Sequence, residues 1–254
     1  MNKIIVNHNS NKITEITLNN PDKRNAFDAE MSKTVIDAVY KAVNTNQRVI
    51  VIKSNISHNI FSAGHDLNEL NSVNEITNDP MFKMFDVIFK SNIPIIAQVE
   101  GDVYAGGLHL LMVCDMVYAL DSINVVITAN KMGVPFQISD YQKWLSVMGV
   151  HKVKELFYTA SKIDAKDAYN CGIFNNIYHN NDSLTSKIND VCNQILSCSE
   201  QGIKNTKKQL NSIIDAISLD SSLRSSIDND RKAILESAEF KQRIQNLINK
   251  IHKK

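Results

Sequence analysis

Apolar positions along the chain alternate between a period of two and a period of three to four, and the switches between the two divide it into elements. Residues 4–6 and 13–18 alternate around the turn His8-Asn9-Ser10-Asn11 and predict a β-hairpin, which Asn19-Asn20-Pro21-Asp22 ends. Met31, Val35, Ala38, Val39 and Ala42 then recur at helical spacing. Asp28 is a suitable N-cap for them and Glu30 falls in the first turn, so a helix packed on a sheet is expected through about residue 43. Residues 49–53 are continuously apolar, the pattern of a strand buried on both faces. Beyond a loop ending in FSAGHDL at 61–67, residues 67–76 are Asn-rich and weakly helical. Residues 81–90 predict an amphipathic helix with Phe82, Phe85 and Phe89 on one side.

The centre of the chain is 93–116. Residues 93–99 read as a buried strand ending at Glu100-Gly101, and Ala105-Gly106-Gly107 opens an apolar run, 108–114, that reads as a buried helix. Strand, small-residue turn and helix together aim free backbone N–H groups at whatever lies over the helix N-terminus, where an anionic oxygen is the natural guest. Tight packing in any α/β fold uses the same unit, so this stretch alone leaves both readings open. Further strands are expected at 117–120, 125–128 and 173–178, and helices at 140–148 and 152–159. Residues 161–165 read as a cap sequence opening a helix that ends at Cys171-Gly172. From residue 183 the pattern is helical, over 184–197, 202–217, 222–236 and 239–252. The expected class is therefore α/β, with a mixed core over 1–180 and a helical region over 181–254.

Composition narrows the functions. A chain of 254 residues with 43% hydrophobic residues supports one large core, and a net charge of +1 without basic clusters among aromatics argues against nucleic acid as a partner. The four cysteines (Cys114, Cys171, Cys192, Cys198) have no metal or redox spacing and read as reduced, buried thiols of a cytoplasmic protein. No metal is expected. No apolar run is long enough to span a membrane, the N-terminus lacks signal-peptide character, and the tail at 250–254 reads as a solvated helix end.

Three stretches stand in order: NPDKRNAF at 20–27, FSAGHDLNEL at 61–70 and VEGDVYAGGLHLLMVCDM at 99–116. With MGVPF at 132–136, HKVKELFYTASKIDAKDA at 151–168 and CGIFNNI at 171–177, they resemble the enoyl-CoA hydratase/isomerase (crotonase) superfamily over essentially the whole chain. AGHD, GVPF and KELFYTAS look most like its methylmalonyl-CoA decarboxylase branch. The resemblance implies a spiral core of ββα turns and a C-terminal helical region that assembles homotrimers, often paired into hexamers. It implies an acyl-CoA substrate, with coenzyme A as part of that substrate and no permanently bound cofactor. The backbone N–H groups of His65 and Gly106 would form an oxyanion hole for the thioester oxygen. Lys23, Arg24 and Ala26, with Ser62, Ala63 and Gly64, would cradle the nucleotide and pantetheine ends, and Leu67 and Phe136 would line the site.

The departures are informative. Hydration in this superfamily uses two carboxylates, and their positions hold His109 and Ala129. Water addition needs such paired groups, so it loses support. Decarboxylation of a malonyl-type thioester generates the enolate directly and needs no base. The decarboxylase branch usually has Glu where His109 stands and Tyr where Phe136 stands, so the carboxylate-orienting groups differ here. His109 is expected either as the acid that protonates carbon or a partner of the leaving carboxylate, or as a histidine satisfied within the core. The leading expectation is a malonyl- or methylmalonyl-CoA-type decarboxylase. The rivals are an isomerisation, hydration or thioester hydrolysis using His109, and a non-catalytic acyl-CoA-binding protein. Asp140 is expected as a helix N-cap, Tyr104 under the turn, and Asp115 in a structural pair.

Overall fold

The hairpin forms as the alternation requires: β1 (Ile4–His8) runs antiparallel to β2 (Ile13–Leu18), with Ile4 opposite Leu18. The structure is a computed structural model that describes residues 2–55, 59–69, 79–216 and 220–251. After the hairpin, α1 (Ala29–Asn44) starts at Asp28, whose side chain accepts from Met31 N at 2.9 Å, and its expected apolar face is buried.

From there the chain repeats one unit. Each turn lays a strand in a large sheet, a strand in a small sheet, and then a helix. The first unit is β3 (Val49–Ser54), β4 (Ile60–Ser62) and α2 (Pro80–Lys90). The second is β5 (Ile95–Val99), β6 (Asp102–Tyr104) and α3 (Gly106–Val113). The third is β7 (Met116–Leu120), β8 (Asn124–Val126), a short α4 (Ala129–Met132) and α5 (Ile138–Thr159). With β9 (Lys162–Asp164), α6 (Ala165–Asn170) and β10 (Asn176–Tyr178) the sheets read β1-β2-β3-β5-β7-β10 and β4-β6-β8-β9. Apart from β1/β2 and β8/β9, every pairing is parallel, as helical crossovers require.

Several elements differ from expectation. Residues 162–164 form the edge strand β9 instead of a cap sequence, and only Asp164 caps α6, accepting from Asp167 N. The strand expected at 125–128 stops at Val126, and α4 follows. Gly149, at φ 72° and ψ 162°, breaks α5 between the two helices expected there. All four cysteines are free, but Cys198 is exposed and only Cys192 is fully buried. Of the other expectations, residues 70–76, 217 and 252–254 lie outside the described residues.

Helix α3 is buried on every side, which accounts for its all-round apolar sequence. The remaining helices are α7 (Asn181–Ser197), α8 (Glu200–Asp215), α9 (Ser221–Glu236) and α10 (Ala238–Ile251). Helix α7 lays Leu184, Ile188, Val191 and Cys192 on Val49, Val51, Ile96 and Tyr118, covering one face of the large sheet. Lys207 on α8 ties that helix to the core through Asp115 Oδ2 at 2.7 Å and the Ile93 carbonyl at 3.0 Å. Helices α9 and α10 fold back over the body, packing Leu235, Phe240 and Ile244 against Leu67, Met132 and Val134. No helix among the described residues is long and apolar enough to cross a membrane.

Candidate active site

β4 and β6 are parallel neighbours in the small sheet, with Ser62 beside Val103. The residues just past their C-terminal ends, Ala63-Gly64-His65 and Ala105-Gly106, therefore lie side by side, although a full turn of the spiral separates them in sequence. The 20–27 loop fixes the first segment: Ala63 N donates to Arg24 O at 3.0 Å, Phe27 N to Gly64 O at 2.6 Å and Asp66 N to Phe27 O at 2.8 Å. The buried Ser62 hydroxyl donates to Asn25 O and accepts from Gly64 N.

These bonds aim the amides. In a trans peptide the N–H points opposite to the C=O of the same unit. Gly64 O faces Phe27, so His65 N–H points away from that loop, toward the β6–α3 turn. Ala105 O accepts from Leu108 N and His109 N inside α3, so Gly106 N–H points out of the helix start. A Cβ on Gly106 would lie 3.4 Å from His65 N and 3.3 Å from Met81 Sδ, which puts the two amides on a common space. Among the described residues neither donates to another protein atom. The turn is held under strain: Ala105 adopts φ 41° and ψ −107°, a conformation of the kind that costs about 1–3 kcal/mol and is kept by its surroundings. Gly64, at φ +90°, could carry no Cβ, which would meet Gly106 N at 2.9 Å. Gly107 is equally confined, by Ser62 at 2.9 Å.

The His65 ring is nearly buried. Nδ1 lies 2.8 Å from Asp66 O, an acceptor only, so Nδ1 carries a proton, and Nε2 bonds Asp79 Oδ2. Burial alone would lower the pKa of His65. The hydrogen bond and charge of Asp79, with Asp66 O and Glu69, outweigh it and raise the value. Asp79 also caps α2 through Met81 N at 2.7 Å. Ligand atoms of His65, Glu69 and Asp79 lie within 4.8 Å of one another and are the donor set a cation would find here. They already serve as the His65–Asp79 pair and as caps, Glu69 accepting from Ala29 N.

His109 is wholly buried. Trp144 Nε1, a donor only, bonds His109 Nδ1 at 2.8 Å, which assigns the ring proton to Nε2. Nε2 stands 3.2 Å from Asp140 Oδ1 but out of line for a hydrogen bond. Asp140 is the N3 member of a capping box with Gln137, one turn inside the N-cap position expected for it. Burial alone would raise its carboxyl; His109, the Gln137 amide and Lys143 hold it below the ordinary range. Phe85 packs edge-on to His109 at 4.5 Å, and Phe136 lies at 5.8 Å. His109 thus sits behind an aromatic wall and reaches no solvent.

Of the other expected residues, Ala26 and Ser62 are buried, Ala63, Leu67 and Phe136 half-buried, and Arg24 exposed. Lys23 pairs with Asp66, whose carboxyl burial would raise but Lys23 and Asn68 bring below its usual value. Leu67 lies under α9 and α10. Asp115 forms its structural pair, with Ile95 N and Lys207. Sequence reading missed Asp79, Met81, Trp144 and Arg231. Asp79-Pro80 was legible as a helix start, but nothing local in the chain ties it to His65.

Comparison with known proteins gives the chain its relatives. Residues 8–250 match the sequence model of the family described as enoyl-CoA hydratase/isomerase. The methylmalonyl-CoA decarboxylase of Escherichia coli K12 is 28% identical over 239 residues, covering 91% of this chain and 90% of that protein. A short-chain-enoyl-CoA hydratase of Clostridium acetobutylicum is 23% identical, covering 83% of this chain and 82% of the relative. Among solved structures, a methylmalonyl-CoA decarboxylase in complex with 2-nitronate-propionyl-CoA superposes with a TM-score of 0.92 at 26% identity, covering 98% of this chain and 96% of the other.

Proposed function

This chain belongs to the enoyl-CoA hydratase/isomerase family, and from that premise we propose that it removes CO2 from a malonyl- or methylmalonyl-type coenzyme A thioester. One observation carries the reading. Two backbone donors, His65 N–H and Gly106 N–H, face a common space in a chain that has His109 and Ala129 where a hydratase would place its acids. Such a site can stabilise an enolate but lacks the paired groups for adding water.

The thioester oxygen accepts from both amides. The bond between the α-carbon and the carboxylate breaks, its electron pair moves into the enolate, and CO2 leaves. The negative charge collects on the oxygen between the two donors, each worth about 3–4 kcal/mol in the transition state. A proton from water then adds to the α-carbon and gives the decarboxylated thioester. The His65 ring, held by Asp79 and the Asp66 carbonyl, fixes the residue that carries one donor.

Lys23, Arg24 and Ala26 with Ser62, Ala63 and Gly64 are assigned to the coenzyme A moiety, and Leu67 and Phe136 to the walls. His109 acts through Trp144 and Asp140, shaping the acyl side of the site. Its burial favours one second reading, acyl-CoA binding without turnover. A cytoplasmic homotrimer or dimer of trimers belongs to the same proposal.

The test incubates the purified protein with methylmalonyl-CoA, malonyl-CoA and crotonyl-CoA and follows products by mass. Propionyl- or acetyl-CoA is the expected outcome. Hydroxybutyryl-CoA from crotonyl-CoA would sink the decarboxylase reading, and tight binding without product would establish the second one.

A further inference from the structure

Arg231 comes from α9, outside every motif that marks the site, and is 9% exposed. Its Nε donates to Pro135 O at 3.3 Å, and its guanidinium carbon stands 5.7 Å from the centre of the Phe82 ring. Its Nη2 is buried and has no hydrogen-bond partner among the described residues. Asp140 and Asp228 act on the guanidinium, but none of the described ion pairs includes it. Burial holds its pKa below the ordinary arginine value, against the pull of those two carboxylates. Buried donors in native proteins nearly always find a partner, and a charged donor most needs one. Its natural complement is an anionic oxygen.

The position of Arg231 says which one. Pro135 precedes Phe136, whose ring lies 5.8 Å from His109. Phe82 follows Met81, the side chain that touches the Cβ position of Gly106, and stands 6.4 Å from Phe85, itself 4.5 Å from His109. The guanidinium therefore joins the segment that touches Gly106 to the segment that packs on His109. Arg231 is buried, whereas the cations given to the coenzyme A phosphates, Lys23 and Arg24, lie on an exposed loop. Neither residue standing at the family's carboxylate-orienting positions does that work here: Phe136 has no hydroxyl, and His109 is turned into its Trp144–Asp140 pair.

We propose that Arg231 recognises the carboxylate of the acyl group, donating to it from Nη2, and so selects carboxylated thioesters over neutral ones. The assignment rests on the carboxylated-substrate reading given above. A charge-assisted bond to a group about to depart as CO2 holds the ground state at least as strongly as the transition state. Its effect therefore falls on binding and selectivity, and kcat is not lowered by its loss.

The test measures calorimetric binding of 2-carboxypropyl-CoA, which cannot lose CO2, and of propyl-CoA, the same thioether without the carboxylate. The proteins are the wild type, Arg231→Met and Arg231→Lys. Wild type should prefer the carboxylated ligand. Arg231→Met should weaken that ligand about 10- to 100-fold, in the range of a lost charge-assisted bond, and leave propyl-CoA within about twofold. Arg231→Lys should restore part of the preference, which a purely structural role would not do. Equal weakening of both ligands would move Arg231 to the coenzyme A phosphates or to the fold and overturn the assignment, as would no change in either. If wild type releases no CO2 from methylmalonyl-CoA yet shows the Arg231-dependent preference, the decarboxylase reading fails and the Arg231 assignment stands.

Discussion

Nε2 of His65 donates to Oδ2 of Asp79, so the residue whose amide supplies half of the donor pair is tied to the N-cap of α2. The next residues of that helix close the circuit, since Met81 lies against Gly106, the other half. The raised pKa of His65 makes this tie pH-dependent with a definite sign. A group whose folded value lies above its unfolded value, here 6.5, contributes stability in full below about pH 6.5 and loses it as pH rises through the folded value. Wild-type Tm should therefore fall as pH is raised from about 6.5 through the raised folded value of His65. Asp79→Asn keeps a capping oxygen but loses the ion pair; it should cost about 1–3 kcal/mol at low pH and flatten the slope. Parallel Tm–pH curves for the two proteins would show that the pair is not what titrates.

Two glycines on either side of the donor pair separate activity from folding. Gly106→Ala adds a methyl 3.4 Å from His65 N, tight but not prohibitive, and places it over the space the oxyanion needs. Turnover should drop by about 10²-fold or more, as for loss of an oxyanion donor, with Tm nearly unchanged. Gly64→Ala meets Gly106 N at 2.9 Å and a positive φ, so it should cost stability, about 1–3 kcal/mol, as well as activity. Thermal melts beside turnover assays check both. A Gly106→Ala protein with wild-type turnover would remove that amide from the mechanism.

Much of this was legible because its cause is local. Asp28 caps α1 through its own backbone neighbour, and the all-apolar run of α3 follows from burial on every side. The free amides at the start of α3 were legible locally, but their pairing with His65 was reachable only through resemblance, since β4 and β6 come together by a crossover whose register no local pattern records. β9 was missed because three residues at a sheet edge, Lys162–Asp164, carry no period of their own and are held by pairing with β8. The setting of His109 was missed for the same kind of reason: Trp144 and Asp140 arrive on α5, and Arg231 on α9. The apolar pattern could place these residues on helices but could not say which helix packs over which turn.

Lys207 tests how firmly the helical region belongs to the core. Its side chain is 6% exposed and its ammonium bonds both Asp115 Oδ2 and Ile93 O, while Asp115 Oδ2 also accepts from Ile95 N. Lys207→Met removes a buried cation from Ile93 O and from the more exposed Asp115 carboxylate and should destabilise by about 1–3 kcal/mol. Chemical denaturation of the full chain gives the value. A loss well under 1 kcal/mol, the range of exposed pairs, would mean that α8 contributes little to holding β5 and β7.

The last prediction separates two roles for His109. A general acid contributes about 10²–10⁴-fold, so if its ring protonates carbon, His109→Phe should abolish turnover while acyl-CoA still binds. The geometry points the other way. Nδ1 is taken by Trp144 Nε1, Nε2 faces Asp140, and Phe85 and Phe136 pack against the ring, so neither nitrogen is presented to an acyl group. Turnover of His109→Phe should therefore stay within about tenfold of wild type. Stability should respond instead. Trp144→Phe strands a buried acceptor and His109→Phe a buried donor, each costing about 1–3 kcal/mol. The double variant leaves neither atom unpaired, so its loss should be smaller than the sum of the two single losses. A strictly additive cycle, or a His109→Phe protein that binds 2-carboxypropyl-CoA normally but has lost all turnover, would return His109 to the chemistry.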